Sequence, residues 1–316
     1  MFKLSISIVS NSDLAALNKC LENIFSNIGS SVSFEVFVTD NANSIGDSIA
    51  RKYPQVKLIV NGTQKGFSEN HNKAIKQSNG EFILIMNPDV YIQKHCVEQM
   101  LRVIDEDEKT GVVAPKMLRP DGKTIDSAGH LIFKNRRAAD RGMEKADIGQ
   151  YDVQEEVFSA CGAAMLCRRT MLEDTKLFGE YFDETFKLYQ EDLDLCWRAH
   201  LRGWKVVYVP GAVAYHARGW GRRKKRAAIP RWIRRESFKN RYLTIIKDDH
   251  LANFLKDLPF ILWHECKALI YVIFKEPHLF IAWFQIITLL PLTLKKRAEI
   301  MERSTVGAEE IHKWFV

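Results

Sequence analysis

The sequence lacks the spacings that would make it a zinc ribbon. Its six cysteines, Cys20, Cys96, Cys161, Cys167, Cys196 and Cys266, include no CxxC pair and read as ordinary buried thiols of a reducing compartment. It also lacks a glycine- and lysine-rich phosphate loop after its first strand-like run. Ser10-Asn11-Ser12-Asp13 stands there instead, which argues against nucleotidyl transfer. No internal repeat is present. The opening Met1-Phe2-Lys3-Leu4-Ser5-Ile6-Ser7-Ile8-Val9 turns polar too soon for a signal peptide and reads as a strand. The longest uncharged run, Pro277 to Leu294, sits at the lower limit for a membrane span and is interrupted by His278, Gln285 and Pro291. An interfacial or re-entrant helix pair is the expectation there, closed by Lys295, Lys296 and Arg297 as a basic flank.

What is present begins with 316 residues, 46% of them apolar, enough for a substantial core. A formal charge of +7 suggests an anionic partner. Strand-like runs alternate with helical ones: Leu4 to Val9, Phe34 to Thr39, Lys57 to Val60 and Glu81 to Met86 are separated by helical patterns near 13–27, 45–52 and 68–77. That alternation predicts a doubly wound α/β sheet. Beyond Gly111 the expectation is short strands at 112–114, 126–133 and 157–167, a mobile polar loop over 135–156, a helix over 190–201 and a strand over 205–209.

The apolar run Glu81 to Met86 ends in Asn87-Pro88-Asp89. Proline cannot continue a ladder, so the polar pair falls at the strand's carboxyl end, where open α/β sheets bind ligands. A carboxylate there suits a hard divalent cation holding a diphosphate; an Asx turn is the plainer alternative. Strand 2 likewise ends in Asp40-Asn41, which could accept from a pyrimidine imide N–H or cap a helix. Gly66-Phe67 opens the next turn, and Asn72 is expected on the following helix, facing the nucleotide. Further on, Glu191, Asp192 and Asp194 crowd the start of a helix. Asp192 could act as a general base with Glu191 orienting it, while Asp194 and Arg198 form an i,i+4 pair. His216, after a Pro210-Gly211 turn, is expected on a loop where it could complete an oxygen-rich metal site.

From Arg218 to Arg241 the chain is dense in Arg and Lys, with Trp220 and Trp232 interleaved. This stripe is either a phosphate-binding surface or a membrane anchor. A nucleic-acid binder using it is the rival reading, although its apolar sequel over 251–294 fits a membrane better than a groove.

Taken in order, Asp40-Asn41, Gly66-Phe67 with Asn72, Asn87-Pro88-Asp89, Glu191 to Leu195 with Arg198 and Gly203, and His216 resemble the inverting glycosyltransferases of family 2, specifically their rhamnosyltransferase-like branch. The resemblance spans about residues 4–220. It implies a GT-A fold, a Rossmann-like, doubly wound mixed sheet, over 1–216, with a nucleotide-sugar half (1–110) and an acceptor half (111–216). A basic and amphipathic helical extension would occupy 217–316. By that likeness Asp40 binds the pyrimidine, and Ser10, Asn11, Asn41, Gly66, Phe67, Asn72, Asn87 and Asp89 line the donor site. Asp89 and His216 hold Mg²⁺ or Mn²⁺, and Asp192 is the base. Gly162, Ala163 and Trp220 meet the acceptor, and Arg218, Arg222 and Arg223 meet the diphosphate or membrane.

The family's Asp-x-Asp is here Asn87-Pro88-Asp89, a single carboxylate. The implied reaction moves L-rhamnose from dTDP-rhamnose, or alternatively a hexose from UDP, to a saccharide hydroxyl, with a lipid-linked acceptor as in bacterial polysaccharide or cell-wall assembly. The implied location is the inner face of the cell membrane, peripheral and cytoplasmic, without nucleic acid as partner and with oligomerisation left open.

Overall fold

Five consecutive buried residues, Phe82-Ile83-Leu84-Ile85-Met86, leave no polar face, so this segment must lie inside a sheet covered on both sides. In the computed structural model, which describes residues 2–217 and 226–316, it does. The first half comprises β1 (Leu4–Ser10), α1 (Leu14–Asn27), β2 (Phe34–Asp40), α2 (Gly46–Lys52), β3 (Lys57–Val60), α3 (Phe67–Gln77), β4 (Phe82–Met86), β5 (Val90–Ile92) and α4 (Cys96–Glu106). Then come β6 (Thr110–Leu118), β7 (Ile125–Ser127), β8 (His130–Ile132), β9 (Ala138–Asp140), β10 (Glu155–Glu156), β11 (Ala164–Arg168), α5 (Arg169–Thr175), α6 (Glu191–Leu201) and β12 (Lys205–His216). The C-terminal part is helical: α7 (Arg231–Asp248), α8 (Leu251–Lys256), α9 (Leu258–Lys275), α10 (Phe280–Arg303) and α11 (Ala308–His312).

The sheet order is β10-β12-β6-β11-β4-β1-β2-β3, with β1, β2, β3 and β4 mutually parallel and β11 antiparallel to both β4 and β6. It is the mixed GT-A sheet. Chain order reverses between β1 and β4, so their carboxyl ends flank a topological switch point. Alternate residues of β4 feed opposite cores: Leu84 and Met86 pack with α1 and α4, Ile83 and Ile85 with α3, α5 and α6.

Several expectations are corrected. His216 ends a twelve-residue strand rather than sitting on a loop, because β12 runs past Pro210-Gly211 through an irregularity between Val209 and Val213. The strand expected over 157–167 is confined to β11, and that over 126–133 is broken by Gly129 at φ +88°. The segment 135–156 is anchored. Arg136, fully buried, donates to Asp249 Oδ2 (2.8 Å) and Asp257 Oδ2 (2.7 Å) and stacks 3.9 Å from the Phe315 ring. Cys266 is exposed, unlike the other five thiols.

Four basic residues in the described part of the stripe are paired with acids, while Arg231 is exposed. Arg226 and Arg234 pair with Glu276, Lys239 with Glu236, and Arg241 with Glu265. Lys296 is buried against Glu180 and Asp183, and Arg297 donates to the carbonyls of Ile246 and Asp249, so of that flank only Lys295 is exposed. The composition changes at 217, but the core does not: Ile300, Ile311 and Phe315 pack with Phe158, Leu193 and Trp197. The apolar tail forms the helix pair α9 and α10, joined through Pro277–Leu279. By length and composition the helix over Pro277–Arg303 is also apolar enough to cross a membrane.

Candidate active site

β1 and β2 run in register to their ends, so Ser10 stands opposite Asp40 at the carboxyl edge. Asp40 Oδ2 accepts from the N–H groups of Ile45 and Gly46 (2.9 Å each), the helix-capping arrangement. Its Oδ1 and the Ser10 hydroxyl are buried and have no hydrogen-bond partner among the described residues. Buried oxygens left in that state cost about 1–3 kcal/mol each, which a ligand bringing donors would recover. Asn41 is a hub beside them. Its amide donates to Asn11 Oδ1 (2.7 Å) and Lys65 O (3.0 Å), and its Oδ1 accepts from Lys65 N and from Asn61 Nδ2. Asn61 is a site-building residue that no motif flagged, because its role depends on the end of β3 lying beside β2.

Gly66 fits its motif for a steric reason. A Cβ there would lie 2.7 Å from Lys187 Cα, and Phe67 N donates to Lys187 O (2.7 Å). Asn72 does not face the crevice. It is buried, exchanging hydrogen bonds with the Phe182 backbone (2.8 and 2.9 Å) and donating to Glu184 Oε1 (3.0 Å). It therefore fixes the segment that carries Lys187 against Gly66. Trp220, Arg218, Arg222 and Arg223 lie outside the described residues.

At the end of β4, Asn87 N donates to Ala163 O (2.9 Å). Pairing of β5 with β12 sets Val90 opposite His216, which brings Asp89 Oδ1 within 3.5 Å of His216 Nε2. His216 Nδ1 is 2.7 Å from Asp126 Oδ2, and Asp126 also pairs with Arg119 (3.1 Å). Burial disfavours the charged ring, but Asp126 and Asp89 outweigh it and hold the His216 pKa above its ordinary value. A divalent cation could be held here: a half-buried carboxylate oxygen and an imidazole nitrogen lie side by side, with the second ring nitrogen fixed by a carboxylate. The residues fit the metal that the motif implies. Asp126 escaped sequence reasoning because it lies in a short strand without any motif.

Across the sheet, Asp192 Oδ2 accepts from Gly162 N (2.8 Å) and Oδ1 from Leu193 N (2.8 Å), so both carboxylate oxygens are oriented by backbone. A Cβ at residue 162 would sit 3.3 Å from Asp192 Cβ and Oδ2. Ala163, bonded to Asn87, and Gly162, bonded to Asp192, thus bridge the two halves of the site through adjacent residues. Glu191 is buried with Oε2 lacking a partner among the described residues. Burial, and then the charge of Asp192 beside it, push its pKa well above the carboxylate range.

Tyr189 and Gln190 enter α6 with φ of +69° and +73°, a strained left-handed pair held by Asn240, whose amide donates to Leu188 O and Tyr189 O. Asp194 faces inward, paired with Arg198 (2.9 Å) and Lys247. It has a packing role.

Residues 3–239 match the family described as glycosyltransferase like family 2. The chain belongs to glycosyltransferase family 2. Among its relatives, the rhamnosyltransferase WbbL of Escherichia coli K12 is 27% identical over 252 residues, covering 74% of this chain and 90% of that one. An N-acetylglucosaminyl-diphospho-decaprenol L-rhamnosyltransferase of Mycobacterium tuberculosis is 25% identical over 212 residues, 57% of this chain; the match spans 66% of that protein's length. In fold, the family 2 chain is similar to a mannosyltransferase, PcManGT from Pyrobaculum calidifontis, solved in complex with GDP-Man and Mn²⁺. The TM-score is 0.55 at 16% identity, over 98% of this chain and 78% of that one.

Proposed function

We propose that this glycosyltransferase moves L-rhamnose, with inversion, from dTDP-rhamnose to a hydroxyl of a lipid-linked saccharide at an anionic membrane surface. A UDP-hexose is the second donor to test. The observation that carries the reading is the pairing of Asp192, held by two backbone N–H groups, with the Asp89–His216 pair across the Gly162-Ala163 bridge. Rhamnose is the sugar in the names of both relatives, and a decaprenyl diphosphate appears in one.

In this mechanism the nucleoside lies over Ser10 and Asp40, whose unpartnered oxygens accept from the base. Asp89 and His216 would hold a divalent cation, which when bound neutralises the diphosphate leaving group. Asp192 orients the acceptor hydroxyl and takes its proton as the oxygen attacks the anomeric carbon. Glu191 is buried beside the base, and burial together with the Asp192 charge disfavours its ionised form.

Support for the membrane comes from α9 and α10, which expose Leu262, Trp263, Phe274, Phe280, Phe284 and Ile287. Arg231, Lys267, Lys275 and Lys295 are exposed on the same helical part. Each large side chain inserted into lipid contributes about 1.5–3 kcal/mol, and each basic residue near an anionic surface about 1 kcal/mol.

The test is calorimetric binding of a sugar-nucleotide panel with Mn²⁺, Mg²⁺ or chelator, followed by transfer to a polyprenyl-diphosphate sugar. The expected result is one thymidine or uridine donor bound with metal and lost in Asp89→Ala. Sedimentation with anionic vesicles should fall sharply in a Trp263→Ser/Phe274→Ser/Phe284→Ser variant. Failure of every sugar nucleotide to bind overturns the enzyme reading. Binding to duplex DNA but not to vesicles would favour the nucleic-acid alternative.

A further inference from the structure

The loop that supports Asp192 has a second set of neighbours. His130 on β8 and Asp140 on β9 face each other across an antiparallel hairpin, with Nε2 3.1 Å from Asp140 Oδ1. Cys161, adjacent to Gly162, completes a group whose nitrogen, oxygen and sulfur ligand atoms all lie within 4.8 Å of one another. The three side chains are largely shielded without being sealed in: the His130 and Asp140 side chains are 12% and 10% exposed.

We propose that His130, Asp140 and Cys161 form a binding site for a thiophilic divalent cation of the zinc type, separate from the Asp89–His216 pair. The chemistry of the donors decides the class of ion. Magnesium and manganese bind a thiolate poorly, whereas a thiolate with an imidazole and one carboxylate selects zinc or cobalt. Geometry permits it. Tetrahedral bonds of about 2.0–2.3 Å need ligand atoms about 3.3–3.8 Å apart, which the hairpin reaches by small side-chain rotations. The remaining ring nitrogen, Nδ1, is 3.2 Å from Ser159 Oγ, the partner that fixes the orientation of a ligating imidazole. Three ligands leave the fourth position to water.

Its consequence lies next door. Ser159 Oγ also contacts Asp192 O (3.3 Å), Gly162 N holds Asp192 Oδ2, and Ala163 O holds Asn87 N. An ion tying Cys161 to the β8–β9 hairpin therefore pins the loop that orients the base, and removing it loosens both halves of the site. The cation is a structural clamp, and no bond to substrate passes through it.

Cobalt is the probe. Titration of metal-free, full-length protein with Co²⁺ should give one equivalent of tetrahedral visible bands plus a near-ultraviolet thiolate-to-cobalt band. Zn²⁺ should displace it and Mg²⁺ should not. Cys161→Ser should abolish the thiolate band, while Cys266→Ser and Asp89→Ala keep it. X-ray absorption at the zinc edge of the zinc-loaded wild type needs no variant, and one sulfur among nitrogen and oxygen ligands is expected. A first shell without sulfur, or a thiolate band that survives in Cys161→Ser and vanishes in Cys266→Ser, overturns the proposal.

Discussion

Replacing Asp192 with asparagine separates proton transfer from folding and donor binding. In the native protein each carboxylate oxygen accepts one backbone N–H at 2.8 Å, from Gly162 and from Leu193. Asparagine can turn its carbonyl to only one of these, so one N–H meets an amide NH₂ and loses its acceptor, a cost of about 1–3 kcal/mol in stability. The fold withstands that, since Asp192 is only partly buried and its neighbours on α6 are packed in the core. The chemical cost is of another kind. An amide cannot take the acceptor proton, and loss of a general base slows the chemical step by about 10²–10⁴-fold, a barrier increase of about 2.7–5.4 kcal/mol. Donor affinity should stay within about twofold, because the base lies on the acceptor side of the Gly162-Ala163 bridge. The assay is single-turnover transfer at saturating donor and acceptor, with donor affinity by calorimetry and a thermal melt on the same sample. Turnover within tenfold of wild type, in a variant that binds donor and melts normally, would refute the assignment of Asp192.

Two further outcomes follow from the buried charges. Lys247 is buried with Asp183 (2.5 Å) and Asp194, while Asp183 keeps Lys296 and Asp194 keeps Arg198. Lys247→Met should therefore cost about 3 kcal/mol, two charge-assisted bonds rather than a bare buried carboxylate. Urea denaturation reads this, and a loss under 1 kcal/mol would show that the network is not coupled to folding.

His216 supplies a pH dependence. Its folded pKa is raised above 6.5, so in metal-free protein its proton contributes stability below that value, and this contribution is lost as pH rises through the folded pKa. A cation must displace the same proton, so Mn²⁺ affinity should increase with pH over that window. His216→Gln should bind more weakly with a flatter profile; an unchanged slope would remove His216 from the metal site.

What the sequence determined by itself was local and periodic. The apolar run 82–86 read as a doubly covered strand and Pro88 as its end, which put Asn87 and Asp89 at the strand's carboxyl edge. The spacing of Asp194 and Arg198 set their pairing on α6. The ordered motifs carried the GT-A fold and the family. What only tertiary structure decided were the contacts between segments distant in the chain. Asn72 packs away from the crevice because Phe182 and Glu184 arrive to meet it. Arg136 turns a polar loop into a buried anchor because Asp249 and Asp257 arrive at the ends of the C-terminal helices. In the described part of the basic stripe, Arg226, Arg234, Lys239 and Arg241 are paired with Glu276, Glu236 and Glu265, two of which come from later in the chain. His130, Asp140 and Cys161 have no motif spacing at all and meet only because a hairpin folds back on the loop ahead of β11. Periodicity reports which face of an element is buried; it holds no information on which charge another element will bring to that face.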